Sequence, residues 1–214
     1  MTLSLYGRLY LTAYNTDAGA LYDRTRAGFL LRVAVLAELA RAGRVADRAG
    51  EVAVVDAAAT GDPVLDLVLP RLGAHRRTWK AWTRADRKET LAAVEDRLAA
   101  LGVITVRERR SAAFARPARR EVTVCDAAEV RALQGALAGV LRGEGSAEPD
   151  DAVLVALAAA GGAHHVVSRA DARARKDRVG ALTGHLDAIA PSLGRAVRGL
   201  GTTLVAAQGG MGGG

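Results

Sequence analysis

With 214 residues, half of them hydrophobic, the chain can bury a sizeable core; only 4% aromatics beside abundant alanine favours close-packed helices over a sheet-rich fold. A formal net charge of +7 and a sequence pI near 10.3 point to polyanionic partners, nucleic acid or an anionic membrane surface. A single cysteine, Cys125, excludes an internal disulfide, and the longest uncharged apolar run, the twelve residues 152–163, is too short to span a bilayer, so any membrane contact is expected to be peripheral.

The first ten residues, M-T-L-S-L-Y-G-R-L-Y, have neither the basic start nor the apolar core of a signal peptide, which with the lone thiol predicts a cytoplasmic protein. Residues 3–14 alternate loosely between apolar and polar, and 15–19 (N-T-D-A-G) form a turn by residue type. Residues 27–40 predict a helix apolar on nearly every side, which belongs in the middle of a bundle. Its exception is Arg32, which at 100° per residue shares a face with Val35, Leu36 and Leu39 and has no carboxylate three or four positions away. A charge carried on an apolar stripe needs a partner from elsewhere, either a distant Asp or Glu or an anion from solution.

The helix ends near Gly43, and 44–46 with 51–55 read as a small hairpin. Asp62 is an N-cap with Pro63 at the first helical position, followed by a stripe of Val64, Leu65, Val68 and Leu69. Residues 73–90 are basic and carry Trp79 and Trp82 three apart, which suits a membrane interface or a nucleic-acid backbone. Aromatics at helical spacing are more often core anchors, and that is the expected role. A second helix, 89–101, turns Leu91, Val94, Leu98 and Leu101 inward and stops at Gly102, as the first stopped at Gly43.

Strands at 103–106 and 121–124 follow, so helix, glycine and hairpin occur twice as a pseudo-repeat. The second hairpin is the longer, with Arg107, Arg109, Arg110, Arg116, Arg119 and Arg120 around Phe114. Residues 71–120 hold fourteen Lys or Arg against five Asp or Glu, so the surplus of nine exceeds the net charge and the rest of the chain is slightly acidic. Only three of the thirty basic residues are lysines, a bias that suits phosphate recognition by guanidinium forks but also matches a GC-rich genome.

Residues 126–142 are amphipathic, 152–160 are apolar enough to be buried, and 169–190 predict one long helix, charge-dense in its first half and broken by Pro191. A last apolar helix spans 193–207 before a glycine-rich tail, 209–214, expected to be disordered. The expected fold is mainly α, a single helical-bundle domain over 1–208 with amphipathic peripheral helices and one or two small β-hairpins.

For chemistry the chain offers little: no P-loop, nucleophile elbow, H-E-x-x-H or paired cysteines, and adjacent His164 and His165 cannot share a helical face. No catalytic residue, metal site or cofactor is expected, and the protein reads as a non-enzyme.

The motifs L-Y-L-T-A-Y-N-T-D-A-G (9–19), L-A-E-L-A-R-A-G-R-V (36–45), A-T-G-D-P-V-L-D (59–66) and D-R-L-A-A-L-G-V (96–103) occur in an order and spacing that resembles the Golgi phosphoprotein 3 family, in its actinobacterial form. The likeness covers about residues 3–205. It implies a helical bundle with a β-hairpin, and a peripheral membrane adaptor that binds phosphatidylinositol 4-phosphate and engages protein clients. The family's headgroup pocket uses a tryptophan before the central helix, an arginine within it and two basic residues at the start of a later helix. Arg32 matches the arginine and Lys88 the first basic residue. Leu91 stands at the second basic position and Asp23 at the tryptophan position, with Tyr22 next to it as a stand-in and Arg84 and Arg87 near enough in sequence to supply charge. The resemblance thus implies a headgroup site of Arg32, Lys88, Tyr22, Arg84 and Arg87, and a membrane-contacting hairpin of Arg109, Arg110, Phe114 and Arg116.

A phosphate monoester, with three acceptor oxygens, suits an arginine fork plus a lysine point charge. The expected partner is therefore an anionic, phosphoinositide-like phospholipid at the inner face of the membrane, with self-association through the hairpin as a further expectation. Two other readings remain open. Helix, glycine and basic hairpin also describe a winged-helix DNA-binding domain, although residues 89–101 offer only Glu95, Asp96 and Arg97 to read bases. The third is a non-lipid protein-interaction module with Arg32 bridged internally.

Overall fold

The computed structural model describes residues 3–109 and 119–200. The chain enters on a helix, α1 (Leu5–Thr12), where loose alternation had shown no helical stripe. Leu5, Tyr6, Leu9, Tyr10 and Leu11 are all buried, and a helix covered on nearly all sides carries no one-sided pattern. The Ser4 hydroxyl accepts from the Gly7 amide at its N-terminus, and the Leu5 amide donates to the Glu38 carboxylate at 2.6 Å. The turn at 15–19 closes a two-residue hairpin of β1 (Tyr14–Asn15) and β2 (Ala20–Leu21).

The axis of the molecule is α2 (Arg24–Arg41), which Asp23 caps by accepting from the Arg26 amide. Residues 27–37 and Leu39 are buried, Arg32 among them. Gly43, at φ +68°, turns the chain out of α2 into β3 (Val45–Arg48) and β4 (Glu51–Val54). Asp62 then caps α3 (Pro63–Ala74), accepting from Val64 and Leu65 as its position predicted.

A four-residue helix, α4 (Trp79–Trp82), precedes α5 (Arg87–Ala100), which lies against α2. Gly102, at φ +71°, leads into β5 (Ile104–Arg109) and β6 (Arg119–Val124), so the pseudo-repeat of helix, glycine and hairpin is real. Cys125 follows, exposed rather than built into the core.

The second half wraps this centre with α6 (Ala127–Arg142), capped by Asp126, and α7 (Pro149–Gly161), which packs on α1, α2 and α6. The single helix expected over 169–190 is two, α8 (Arg169–Ala174) and α9 (Lys176–Ile189), parted at Arg175. Nothing in α8 is fully buried, whereas α9 buries Leu182, Thr183 and Leu186, so the two are anchored unequally. Pro191 then opens α10 (Pro191–Arg198), which meets α9 and α4; the rest of the expected last helix and the glycine-rich tail lie outside the described residues. Among the described residues there are ten helices and three two-stranded antiparallel sheets, and no helix is long and apolar enough to cross a membrane.

Candidate functional site

Arg32 is fully buried, and the α4–α5 turn is folded over it. Its Nε donates to the Trp82 carbonyl at 3.2 Å and its Nη1 to the Thr90 hydroxyl at 3.3 Å. Nη2 has no hydrogen-bond partner. The nearest carboxylate, Asp86, stands 3.9 Å from Nη2, close enough for Coulomb attraction but too far for a hydrogen bond. Asp86 is nearer to Arg71, at 3.2 Å. Burial lowers the Arg32 pKa to about 10, partly offset by Asp86 and reinforced by Arg71; the guanidinium stays charged at neutral pH.

Trp79 and Trp82 are both buried, as core anchors should be. Trp82 has a further role, since the guanidinium carbons of Arg32 and Arg77 lie 5.5 and 5.0 Å from its ring centroid, within cation–π range. Neither indole N–H has an acceptor. The unpartnered Arg32 Nη2 thus lies beside the Trp82 ring, whose own N–H has no acceptor, with Arg77 over the same ring and Arg71 paired to the neighbouring Asp86.

Of the residues named from the sequence, Arg84, Arg87 and Lys88 occupy this turn and the first residues of α5. Lys88 and Arg84 are exposed, while Arg87 lies over the Phe29 ring at 3.8 Å and donates through Nε to the Arg84 carbonyl. Leu91 is buried and belongs to the core. Tyr22 is committed elsewhere: its hydroxyl donates to the Gly161 carbonyl at 2.8 Å and its ring meets His165. The start of α2 is eight residues, roughly 12 Å of helix, from Arg32. Asp23 serves as a cap.

Sequence reading did not place Arg71, Arg77 or Asp86 in this cluster. The basic run from 71 was the only signal for the arginines, and nothing local marks Asp86. In the hairpin, Arg109 stands opposite Arg119 at the end of the β5–β6 ladder, and Arg110, Phe114 and Arg116 lie outside the described residues.

A second buried charge, Glu95 on α5, is fully satisfied. It accepts from both terminal nitrogens of Arg24 at 2.7 and 3.1 Å and from the Tyr10 hydroxyl at 3.2 Å, and Arg120 of β6 approaches to 3.5 Å. Arg120, opposite Glu108 near the loop end of the ladder, also pairs with Asp96, so that end of the hairpin is partly neutralised against α5.

The residues that make the sequence motifs recognisable are architectural. Glu38 of L-A-E-L-A caps α1; in A-T-G-D-P-V-L-D, Asp62 caps α3 and accepts from the Tyr6 hydroxyl at 2.7 Å, and Asp66 binds Thr60 and the Gly61 amide. No curated protein matches the chain. The model of the Golgi phosphoprotein 3 (GPP34) family matches residues 5–200, from the first residue of α1 to just beyond α10, and the chain belongs to that family.

Proposed function

We propose that the protein is a non-catalytic peripheral membrane protein that binds the phosphorylated headgroup of an anionic phospholipid, of the phosphatidylinositol 4-phosphate type, at the α4–α5 turn. Membership of the GPP34 family supports the class of protein, and one observation carries the site: Arg32 is a fully buried cation with an unpartnered N–H. A desolvated guanidinium N–H without an acceptor is a cost of about 1–3 kcal/mol that a phosphate oxygen removes. Arg71, Arg77, Arg84, Arg87 and Lys88 supply positive potential around it, with Lys88 exposed toward an incoming headgroup. Contact with the inner face of the membrane through the basic hairpin, and an adaptor role toward protein clients, belong to the same proposal. The DNA-binding reading loses support from α5 itself, because Glu95 is buried and Arg97 turns toward Asp62.

Co-sedimentation with vesicles tests this. Phosphatidylcholine vesicles containing phosphatidylinositol 4-phosphate should pull the protein down at moderate salt, and pure phosphatidylcholine should not. Arg32→Met should weaken that binding about tenfold, an effect of about 1.4 kcal/mol. It should change folding stability by less than about 2 kcal/mol, because Asp86 keeps Arg71 and is not left as a stranded buried carboxylate. Absence of binding to phosphoinositide and other anionic vesicles alike would defeat the proposal.

A further inference from the structure

Asp86 behaves unlike the other aspartates that stand at the N-cap of a described helix. Asp23, Asp62 and Asp126 each accept a hydrogen bond from an amide of the helix they cap, whereas the Asp86 carboxylate makes no such bond to α5. Its backbone is left-handed, at φ +50°, a conformation that among the described non-glycine residues only Ala49 shares. The carboxylate instead faces the two arginines, 3.2 Å from Arg71 and 3.9 Å from the orphaned Nη2 of Arg32. The Asp86 side chain is one-third exposed (33%) while that of Arg32 is not exposed at all, so Asp86 forms part of the cover between the guanidinium and solvent.

The turn is also wired to the arginine through its backbone. The Asp86 carbonyl accepts from both the amide and the hydroxyl of Thr90, and that hydroxyl accepts from Arg32 Nη1. On the far side of the turn, the Trp82 carbonyl accepts from Arg32 Nε. A shift of the turn therefore alters contacts on three of the guanidinium nitrogens.

We propose that Asp86 is an internal anion mimic, an autoinhibitory carboxylate held beside Arg32 that a phosphate-bearing ligand must displace by moving the α4–α5 turn. The inference rests on the headgroup reading above and goes beyond it, because it predicts that the site is held closed until an anion replaces the carboxylate. The Asp86 backbone is tied to Thr90, but its carboxylate makes no capping bond and is held by charge attraction. Its attraction to the arginines is what a phosphate, with more charge and three acceptor oxygens, can outcompete. Binding is then weakened by the fraction of molecules in which the carboxylate occupies the site.

The test compares the full chain with Asp86→Asn, with Asp86→Gly, whose backbone suits the left-handed position, and with Asp17→Asn, an equal charge change at an exposed site. Two probes are used: soluble inositol 1,4-bisphosphate, followed by calorimetry, and phosphatidylcholine vesicles containing phosphatidylinositol 4-phosphate. Both Asp86 variants should bind both probes about tenfold more tightly than the parent, the scale of a typical coupling between sites. Asp17→Asn should gain less than about twofold, since a distant exposed charge is screened. Adding Arg32→Met to Asp86→Asn should abolish the gain. Equal or weaker binding by the Asp86 variants, or a gain confined to vesicles and matched by Asp17→Asn, overturns the mimic and leaves the lipid-binding reading intact. A gain with the soluble probe but no vesicle binding by any form keeps the mimic and defeats the lipid reading; no binding to either probe by any form defeats both.

Discussion

Glu38 shows how a single residue of α2 can tie the protein's stability to pH. Its Oε1 accepts from the Leu5 amide and its Oε2 has no partner, so burial pushes its pKa up to about 7. The Leu5 bond opposes that shift, Asp62 and Asp150 add to it, and Arg41 relieves part of it. A carboxyl group whose folded pKa exceeds its unfolded value contributes stability that is fully present below the unfolded pKa and is lost as pH rises through the folded pKa. The loss should therefore develop from about pH 4.5 to above pH 7. In Glu38→Gln the side-chain oxygen can still accept from Leu5 but does not titrate. Urea unfolding at about pH 5 and about pH 8 should show the variant gaining on the order of 2 kcal/mol over the parent between the two, after allowance for partial solvent access. A difference independent of pH would mean that Glu38 is not the titrating group.

Among the elements, α5 ties its neighbours together through polar side chains. One face supplies Thr90 and the turn over Arg32, and Glu95 ties it to α1 through Tyr10, to α2 through Arg24 and to β6 through Arg120. Replacing Glu95 by Ala leaves Arg120 with Asp96 and allows the half-exposed Arg24 to reach water, but strips a buried hydroxyl and two guanidiniums of their common acceptor. The expected cost is about 3 kcal/mol in chemical denaturation. Faster amide exchange should accompany it around Glu108 and Arg120 of β5–β6 and not at β3–β4, whose contacts Glu95 does not share. Uniform loosening of both hairpins would show that Glu95 acts on the bundle as a whole.

For the whole molecule, the surplus of nine positive charges in residues 71–120 overstates what a membrane can feel. Arg71 faces Asp86, Arg76 faces Glu51, Arg97 faces Asp62, and Arg120 is held by Glu95 and Asp96. Each basic residue near an anionic surface adds on the order of 1 kcal/mol, and that contribution fades within about 10 Å at 0.1 M salt. Vesicle binding should therefore fall steeply as salt rises from about 0.05 to about 0.3 M, while the Asp86→Asn gain on soluble inositol 1,4-bisphosphate persists in larger part because it arises at the buried Arg32 guanidinium. Vesicle binding that is indifferent to salt would remove the basic surface from the proposal.

The helical character, the stops at Gly43 and Gly102, the cap at Asp62 and the family motifs were all legible in the chain, because each depends on residues within a few positions of one another. So was the anomaly of Arg32, a charge on an apolar stripe. What answers that charge was not legible: its contacts, Trp82 and Thr90, lie 50 and 58 residues away, and Asp86 becomes a neighbour only when the α4–α5 turn closes over α2. The same dependence on packing hid α1, whose buried faces leave no stripe, and divided 169–190, where α9 buries residues and α8 buries none. It also drew Tyr22 away to Gly161, since a tyrosine hydroxyl half-removed from water takes the nearest carbonyl and not the site its position in the chain suggests. Local hydrogen bonds and periodicity are written in the order of residues; the partner of a buried charge is chosen by whichever distant groups the core brings within a few ångströms.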